Sequence, residues 1–267
     1  MASAVIKQVN SADNPQYKLL KKIAGSSRER RKLAQTLLDG VHLLLALAEY
    51  GGQPRLLVLR AGAEATPEIA RCLTCFADTP RMVLSAALFD KLSPVEHPTG
   101  ILGLLDIPQP VPQAGACCVL LENIQDPGNL GSILRSAAAA GVVAVYLSQG
   151  CAEAWSPKAL RAGMGAHFLL AIYEQQVLAE VAAQCKNVVA TSLDAAQSLY
   201  TADLTGPVAF LFGNEGAGLS PELMARATCR VTIPMPGAVE SLNVGAAAAI
   251  CLFERVRQRS LGKFLPD

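Results

Sequence analysis

Three glycine- and proline-rich loops hold the residues of this chain whose types and spacing can do chemistry. The first is Glu122-Asn123-Ile124-Gln125-Asp126-Pro127-Gly128-Asn129-Leu130-Gly131, leading to Arg135. The second is Leu211-Phe212-Gly213-Asn214-Glu215-Gly216-Ala217-Gly218-Leu219-Ser220. The third is Ile233-Pro234-Met235-Pro236-Gly237, running on to Glu240-Ser241-Leu242-Asn243-Val244. Without a Cβ, glycine lets the backbone approach a ligand closely, so such loops offer bare N–H and C=O groups beside uncharged polar side chains. None matches the phosphate-cradling G-x-x-x-x-G-K-[ST], and none gives G-x-G-x-x-G after the first strand with an acid about 20 residues on. A nucleoside triphosphate or dinucleotide site is therefore unsupported. A G-x-S-x-G elbow is absent too. No metal is expected: histidine is scarce (His42, His97, His167), and the single C-x-x-C, Cys72 and Cys75, has no second pair. Those two cysteines read as small buried hydrophobes on a helix.

The elements around these loops alternate. CVLLENI (118–124) reads as a buried strand and NLGSILRSAAAAG as a helix stopped by Gly141. VAVYLSQ is a strand, SPKALRAGMGAHF a helix opened by Ser156-Pro157, LLAIYE a strand, VLAEVAAQC a helix and NVVATSL a strand. PVAFLFG, PELMARA and CRVTIPM continue the pattern, and SLNVGAAAAICLFERVRQR closes it as a long helix. Apolar strands alternating with helices predict a parallel sheet covered on both faces, with ligands bound beyond the carboxyl ends of its strands. The loops after residues 124, 213 and 235 are at such ends.

The part before residue 107 predicts a smaller α/β domain. A basic helical pattern, NPQYKLLKKIAGSSRERRKLAQ, breaks at Gly25-Ser26-Ser27. VHLLLALAEYG, residues 67–76 and AALFDKL read as helices; PRLLVLR, RMVLS and GILGLLDI read as strands. Between the two parts, IPQPVPQAG (107–115) reads as a linker of restricted flexibility, giving domains over 1–106 and 116–267.

With 267 residues, 51% hydrophobic and 17% charged, the chain is globular rather than disordered. Mean hydropathy is +0.32, yet no run of about 18 uninterrupted apolar residues occurs, so a membrane span is not expected. The N-terminus lacks a secretory pattern, and eight cysteines without a disulfide framework fit a cytoplasmic protein. The net charge of +1 hides an asymmetry. Residues 1–32 carry eight basic and two acidic side chains. That is the footprint of polyanion contact or of a solvated helix face.

The stretches NIQDPGNLGSILRSAAAAG, LFGNEGAGLS and IPMPGAVESLNVGAAAAICLFE resemble the three motifs of the SpoU/TrmH family, SPOUT-superfamily RNA ribose 2′-O-methyltransferases. The resemblance covers about residues 117–258, with the motifs in order at strand ends. More weakly, the N-terminal part resembles the ribosomal-protein-L30e-like substrate-binding domain often fused to this catalytic domain. The matching points are Asn14-Pro15 to Arg30-Arg31-Lys32 and the GILGLL closure; His97-Pro98-Thr99-Gly100 stands where a Pro-Gln-Gly type segment is expected. The resemblance implies a trefoil knot in the C-terminal chain, one of the rare exceptions to unknotted connections. It also implies S-adenosylmethionine held in that knot and a homodimer that completes the active site across its interface. By position the cofactor-binding residues are Gly213, Ile233 and Leu242, with Leu211, Met235 and Ser241 beside them. The apolar helix over 242–253 suits either the dimer interface or the core of the knot.

Within that reading Arg135 matches the arginine of the first motif. A guanidinium with a pKa above about 12 is a poor general base. Binding the adjacent phosphate and stabilising the developing alkoxide fit it better. Asn129 is expected at a helix N-cap, because six residues from Arg135 do not share a helical face. Glu215, the only carboxylate of the second motif, positions the acceptor nucleotide or Arg135; Asn243 bonds the substrate or braces the fold, and Ser241 is a possible cap. Lys18, Lys21, Lys22, Arg28, Arg30 and Arg31 are the expected phosphate contacts. Aromatic residues are only 5%, so structured RNA read by shape and 2′-hydroxyls fits better than base stacking. Ribosomal RNA is the expected substrate and transfer RNA the close alternative. The rivals are a knotted RNA-binding protein without catalysis and an oxidoreductase on a plain doubly wound sheet.

Overall fold

The computed structural model describes residues 6–93, 95, 98–111 and 117–260. His97 and residues 112–115 of the expected linker lie outside them; residues 107–111 carry no regular secondary structure. The chain divides into two units: residues 1–108 with 155–168, and residues 109–154 with 169–267.

The first unit begins with β1 (Ile6–Val9) and α1 (Pro15–Gly25). Asn14 starts α1: its Oδ1 accepts the backbone N–H groups of Gln16 and Tyr17, and Pro15 sits where a missing N–H costs nothing. Tyr17, Leu20 and Ile23 bury one face of the helix. Ser26 then ends α1 and caps α2 (Ser27–Leu33), which explains the break expected there. There follow β2 (Gln35–Asp39), α3 (Val41–Glu49), β3 (Leu56–Arg60), α4 (Pro67–Cys75), β4 (Arg81–Leu84), α5 (Ala86–Leu92) and β5 (Ile101–Asp106). The sheet order is β1-β4-β3-β5-β2, with β1, β4 and β3 parallel and β5 antiparallel to β3 and β2. Its core gathers Tyr17, Leu20, Ile23, Val58, Met82, Phe89 and Leu102.

Two strands here were not expected. β1 is an edge strand with three of its four residues exposed, including Lys7, so it has no hydrophobic alternation to read. β2 is five residues wedged between helices, with Thr36, Leu37 and Leu38 all buried, so it shows no period either. On α4, Cys72 is buried as expected, but Cys75, the last residue of the helix, is exposed.

The second unit starts at β6 (Cys118–Leu121), followed by α6 (Pro127–Ala139) and β7 (Ala144–Leu147). Next comes α7 (Pro157–Gly163), which belongs to the first unit. It ends earlier than expected because Met164 turns left-handed at φ +49°. The second unit resumes with β8 (Ala171–Tyr173), α8 (Leu178–Ala183), β9 (Val188–Thr191), β10 (Gln197–Ser198), β11 (Ala209–Phe212), α9 (Pro221–Arg226), β12 (Cys229–Thr232) and α10 (Val244–Ser260). All seven strands are parallel, in the order β10-β12-β9-β11-β6-β7-β8. The expected parallel α/β architecture holds. β6 and β11, fully buried, lie side by side at its centre, and β9 separates β11 from β12. Because every strand runs the same way, the loops after β6, β9, β11 and β12 leave from one edge, the edge where such sheets bind ligands.

Among the described residues no helix is long and apolar enough to cross a membrane. No group of three or more His, Cys, Asp or Glu able to hold a metal occurs among them either.

Candidate active site

The loop after β6 is held from both sides. Asn123 turns the chain in the left-handed region, at φ +54°, which asparagine tolerates better than other side chains. Its N–H donates to Ser148 Oγ at 2.9 Å, and the hydroxyl of Ser148 returns a bond to Asn123 Oδ1 at 3.2 Å. Glu122 accepts the N–H of Ser220 at 2.7 Å, which ties the end of β6 to the start of α9. Asp126 then begins α6: its Oδ1 accepts the N–H of Asn129 at 2.9 Å, and Pro127 follows at the first helical position. The spacing to Arg135 predicted Asn129 as the cap; Asp126 takes that place, and Asn129 is a residue of the first turn. Its side chain is thereby free to point elsewhere.

It points at the second loop. Asn129 Nδ2 donates to Glu215 Oε1 at 3.0 Å, and Asn129 Oδ1 accepts from Asn243 Nδ2 at 2.9 Å. Asn243 Oδ1 in turn accepts the N–H groups of Gly245 (2.9 Å) and Ala246 (3.3 Å). The first turn of α10 is thus capped by Asn243 and not by Ser241. Three side chains from three distant loops form one chain of bonds, and each bond dictates the next. The carboxylate can only accept, so the Asn129 amide must present nitrogen to it and oxygen to Asn243. Each amide keeps a second N–H. Burial is the largest single influence on Glu215 and pushes its pKa up. The bonds from Asn129 and from the backbone N–H groups of Glu215, Gln125 and Asp126 together outweigh it, so the carboxyl ends below its ordinary range.

Beside this chain lies a cavity of about 450 Å³, within the usual size of a small-molecule site. Gly213, Ile233, Met235, Ser241 and Leu242 line it, together with Asn129, Glu215 and Asn243. Of the six residues expected to hold a cofactor, only Leu211 does not face it. Leu211 is fully buried in β11 against the sheet core, and its neighbour Phe212 lines the cavity instead. Gly213 is obligatory: a Cβ there would run into the backbone of Gly218 and Leu219. One wall was missed. Thr191, the last residue of β9, and Ser192 and Leu193 after it line the cavity because β9 lies between β11 and β12. Their loop has none of the glycine or proline that marks the others.

Arg135 does not line the cavity. It is exposed on α6, and its side chain makes no hydrogen bond or ion pair to a described residue. Since Asn129 and Arg135 are both helical, about 120° separates their directions.

In the first unit, Lys18, Lys21, Lys22, Arg28 and Arg31 are exposed on α1 and α2, with Lys18 Nζ 2.8 Å from the carboxylate of the more exposed Asp13. Arg30 is not available to a phosphate. It is only 6% exposed, and its Nη1 donates to the carbonyls of Ile23 (2.7 Å) and Ala24 (3.1 Å), where α1 ends. A guanidinium satisfies the orphan carbonyls of a helix C-terminus and its partial negative charge at once.

Comparison with known proteins agrees with this architecture. The profile of the SpoU rRNA Methylase family matches residues 116–253. The chain is 35% identical over 263 residues, 95% of each chain, to a Synechocystis protein named "Uncharacterized tRNA/rRNA methyltransferase". It is 29% identical to the 23S rRNA (guanosine(2553)-2'-O)-methyltransferase RlmP of Bacillus subtilis, over 93% of this chain and 98% of that one. The crystal structure of the SpoU methyltransferase AviRb from Streptomyces viridochromogenes in complex with AdoMet superposes with a TM-score of 0.84. That match has 27% identity and covers 92% of this chain and 98% of the other. The chain belongs to the SpoU rRNA methylase family.

Proposed function

We propose that this protein is an S-adenosylmethionine-dependent methyltransferase that modifies the 2′-oxygen of a ribose in ribosomal RNA. The observation that carries the reading is the Glu215–Asn129–Asn243 chain of bonds on the wall of a 450 Å³ cavity. The cavity suits S-adenosylmethionine. Its walls are glycine, apolar, hydroxyl and asparagine side chains, and among the described residues Glu215 is the one charged group on them, which suits a cofactor with an uncharged base and a cationic sulfur. Gly213, Ile233, Met235, Ser241 and Leu242 would hold it, with Phe212 in place of Leu211 and the Thr191–Leu193 segment as a further wall. When bound, it supplies an electrophilic methyl group on a sulfonium.

The chain's own residues then have to hold and activate a hydroxyl, a poor nucleophile. The remaining N–H of Asn129 and that of Asn243 orient the acceptor ribose, and Glu215 fixes both amides in the donating sense. Arg135 binds the neighbouring phosphate and stabilises the charge that grows on the oxygen as the hydroxyl proton passes to solvent. Its distance in direction from Asn129 is met by a homodimer in which one copy lends Arg135 to the cavity of the other. Ala246 and Phe253, seven residues apart on α10, leave an exposed apolar face that favours this, with Phe253 47% exposed. Lys18, Lys21, Lys22, Arg28 and Arg31 bind RNA phosphates. The expected trefoil knot, the absence of a metal and a cytoplasmic location complete the reading; all eight cysteines are free, as a reducing compartment requires.

Calorimetry with S-adenosylmethionine and with NAD tests the cofactor class. Binding of the first at micromolar strength and no heat from the second supports the reading. NAD binding with no heat from S-adenosylmethionine would replace it with the oxidoreductase alternative.

A further inference from the structure

Glu215 is useful only where Asn129 can reach it, and Glu215 sits on an exposed turn of small residues. Something must hold that turn against the first loop. The side chain of the residue before it does so. Asn214 Nδ2 donates to the backbone oxygen of Asn123 at 2.9 Å, across 91 residues of sequence. Its Oδ1 accepts the N–H groups of Gly216 and Ala217, both at 2.9 Å, while its backbone pairs in both directions with Gly218. One amide therefore closes its own turn with the oxygen and fastens that turn to the neighbouring loop with the nitrogen. The anchor is itself secured. Asn123 is bonded twice to Ser148, and a Cβ at Gly150 would strike the Asn123 side chain, so glycine there leaves it room.

We propose that Asn214 is a positioning residue for methyl transfer, acting through Glu215: its amide nitrogen locks the Gly213–Gly218 turn to Asn123 and so sets the carboxylate against Asn129. The inference rests on the role given to Glu215 above. The two halves of the Asn214 amide do separate jobs, and substitution can separate them. Asn214→Asp keeps the oxygen that closes the turn and loses the donor. Asn214→Ser does the same without adding charge, since a hydroxyl oxygen makes the same turn more weakly. Ser148→Ala leaves the second loop untouched and loosens only the anchor.

The test is steady-state kinetics on ribosomal RNA for Asn214→Ser, Asn214→Asp, Ser148→Ala, Glu215→Gln and the double variant Asn214→Ser with Glu215→Gln. Thermal melts identify folded protein. Asn214→Ser and Asn214→Asp are expected to lower kcat on the order of tenfold, the worth of one hydrogen bond to the transition state. KM for RNA stays within about twofold, and kcat is read at saturating S-adenosylmethionine because Asn214 also lines the cavity. The acid limb of the pH profile moves upward in both, because a carboxylate that loses donors gives up its proton less readily. Ser148→Ala moves kcat the same way by less. In the Glu215→Gln background, Asn214→Ser has no further effect. An additive loss in that double variant, or unchanged kcat in Asn214→Ser beside an impaired Glu215→Gln, overturns the role of Asn214 alone. Full activity of Glu215→Gln overturns the role of Glu215 and this inference with it.

Discussion

Arg30→Ala separates the structure from the charge pattern of the sequence. Arg30 lies in Arg28-Glu29-Arg30-Arg31-Lys32, where all the basic residues look alike, but it alone among them is buried. Its truncation removes two charge-assisted bonds, to the buried carbonyl of Ile23 and the half-buried carbonyl of Ala24. A buried group left without a partner costs about 1–3 kcal/mol, and a bond to a charged donor is worth about 1.5–3 kcal/mol. Counting the Ile23 carbonyl in full and the Ala24 carbonyl in part gives a loss of about 2–4 kcal/mol. Urea unfolding reads this as a lower midpoint at unchanged slope. RNA affinity measured against salt supplies the second readout. Arg31→Ala, which removes an exposed charge, is expected to reduce the log–log salt slope by about 1 and to leave stability within about 0.5 kcal/mol. Arg30→Ala leaves the slope alone. A stable Arg30→Ala protein with a reduced salt slope would refute the structural role and restore Arg30 to the RNA surface.

Gly213→Ala is expected to cut S-adenosylmethionine affinity at least about tenfold in calorimetry while the protein still folds, because the new Cβ must displace the Gly218 backbone on the cavity wall. Arg135→Ala is expected to abolish transfer and leave cofactor affinity within twofold. Co-expressed with Glu215→Gln it recovers about a quarter of wild-type activity beyond what the Glu215→Gln sites themselves retain, since half the dimers are mixed and each mixed dimer has one intact site. No recovery contradicts the shared site. The Glu215 carboxyl titrates below its ordinary range. Its ionised form is present at neutral pH and is lost only as pH falls through that lowered value. Activity should hold through pH 6 and 5 and fall below the usual carboxylate range, and Glu215→Gln should remove that acid limb.

The three loops were legible because backbone approach to a ligand demands glycine and proline, and those residues announce themselves. Asn129, Glu215 and Asn243 were legible as a set for the same reason; their order along one chain of bonds was not. That order depends on Asp126, not Asn129, starting α6, a choice the spacing of Asn-x-x-x-x-x-Arg cannot make. Thr191–Leu193 escaped notice because the order of strands in a parallel sheet is a tertiary fact. Nothing in NVVATSL says that its end is flanked by the second and third loops. Leu211 was misplaced by one residue, which in a strand is the difference between the two faces. β1 and β2 were invisible for opposite reasons, one mostly exposed and the other buried through its three central residues.

The most direct test of the account is the chemical position of the transferred methyl group. The purified protein is incubated with ribosomal RNA and methyl-labelled S-adenosylmethionine, and the product is hydrolysed in alkali. A 2′-O-methyl ribose blocks cleavage at its own phosphodiester, so the account predicts that the label appears in an alkali-resistant dinucleotide. Label released on a mononucleotide, as a base methylation would give, or no incorporation by a protein that binds the cofactor, would contradict it.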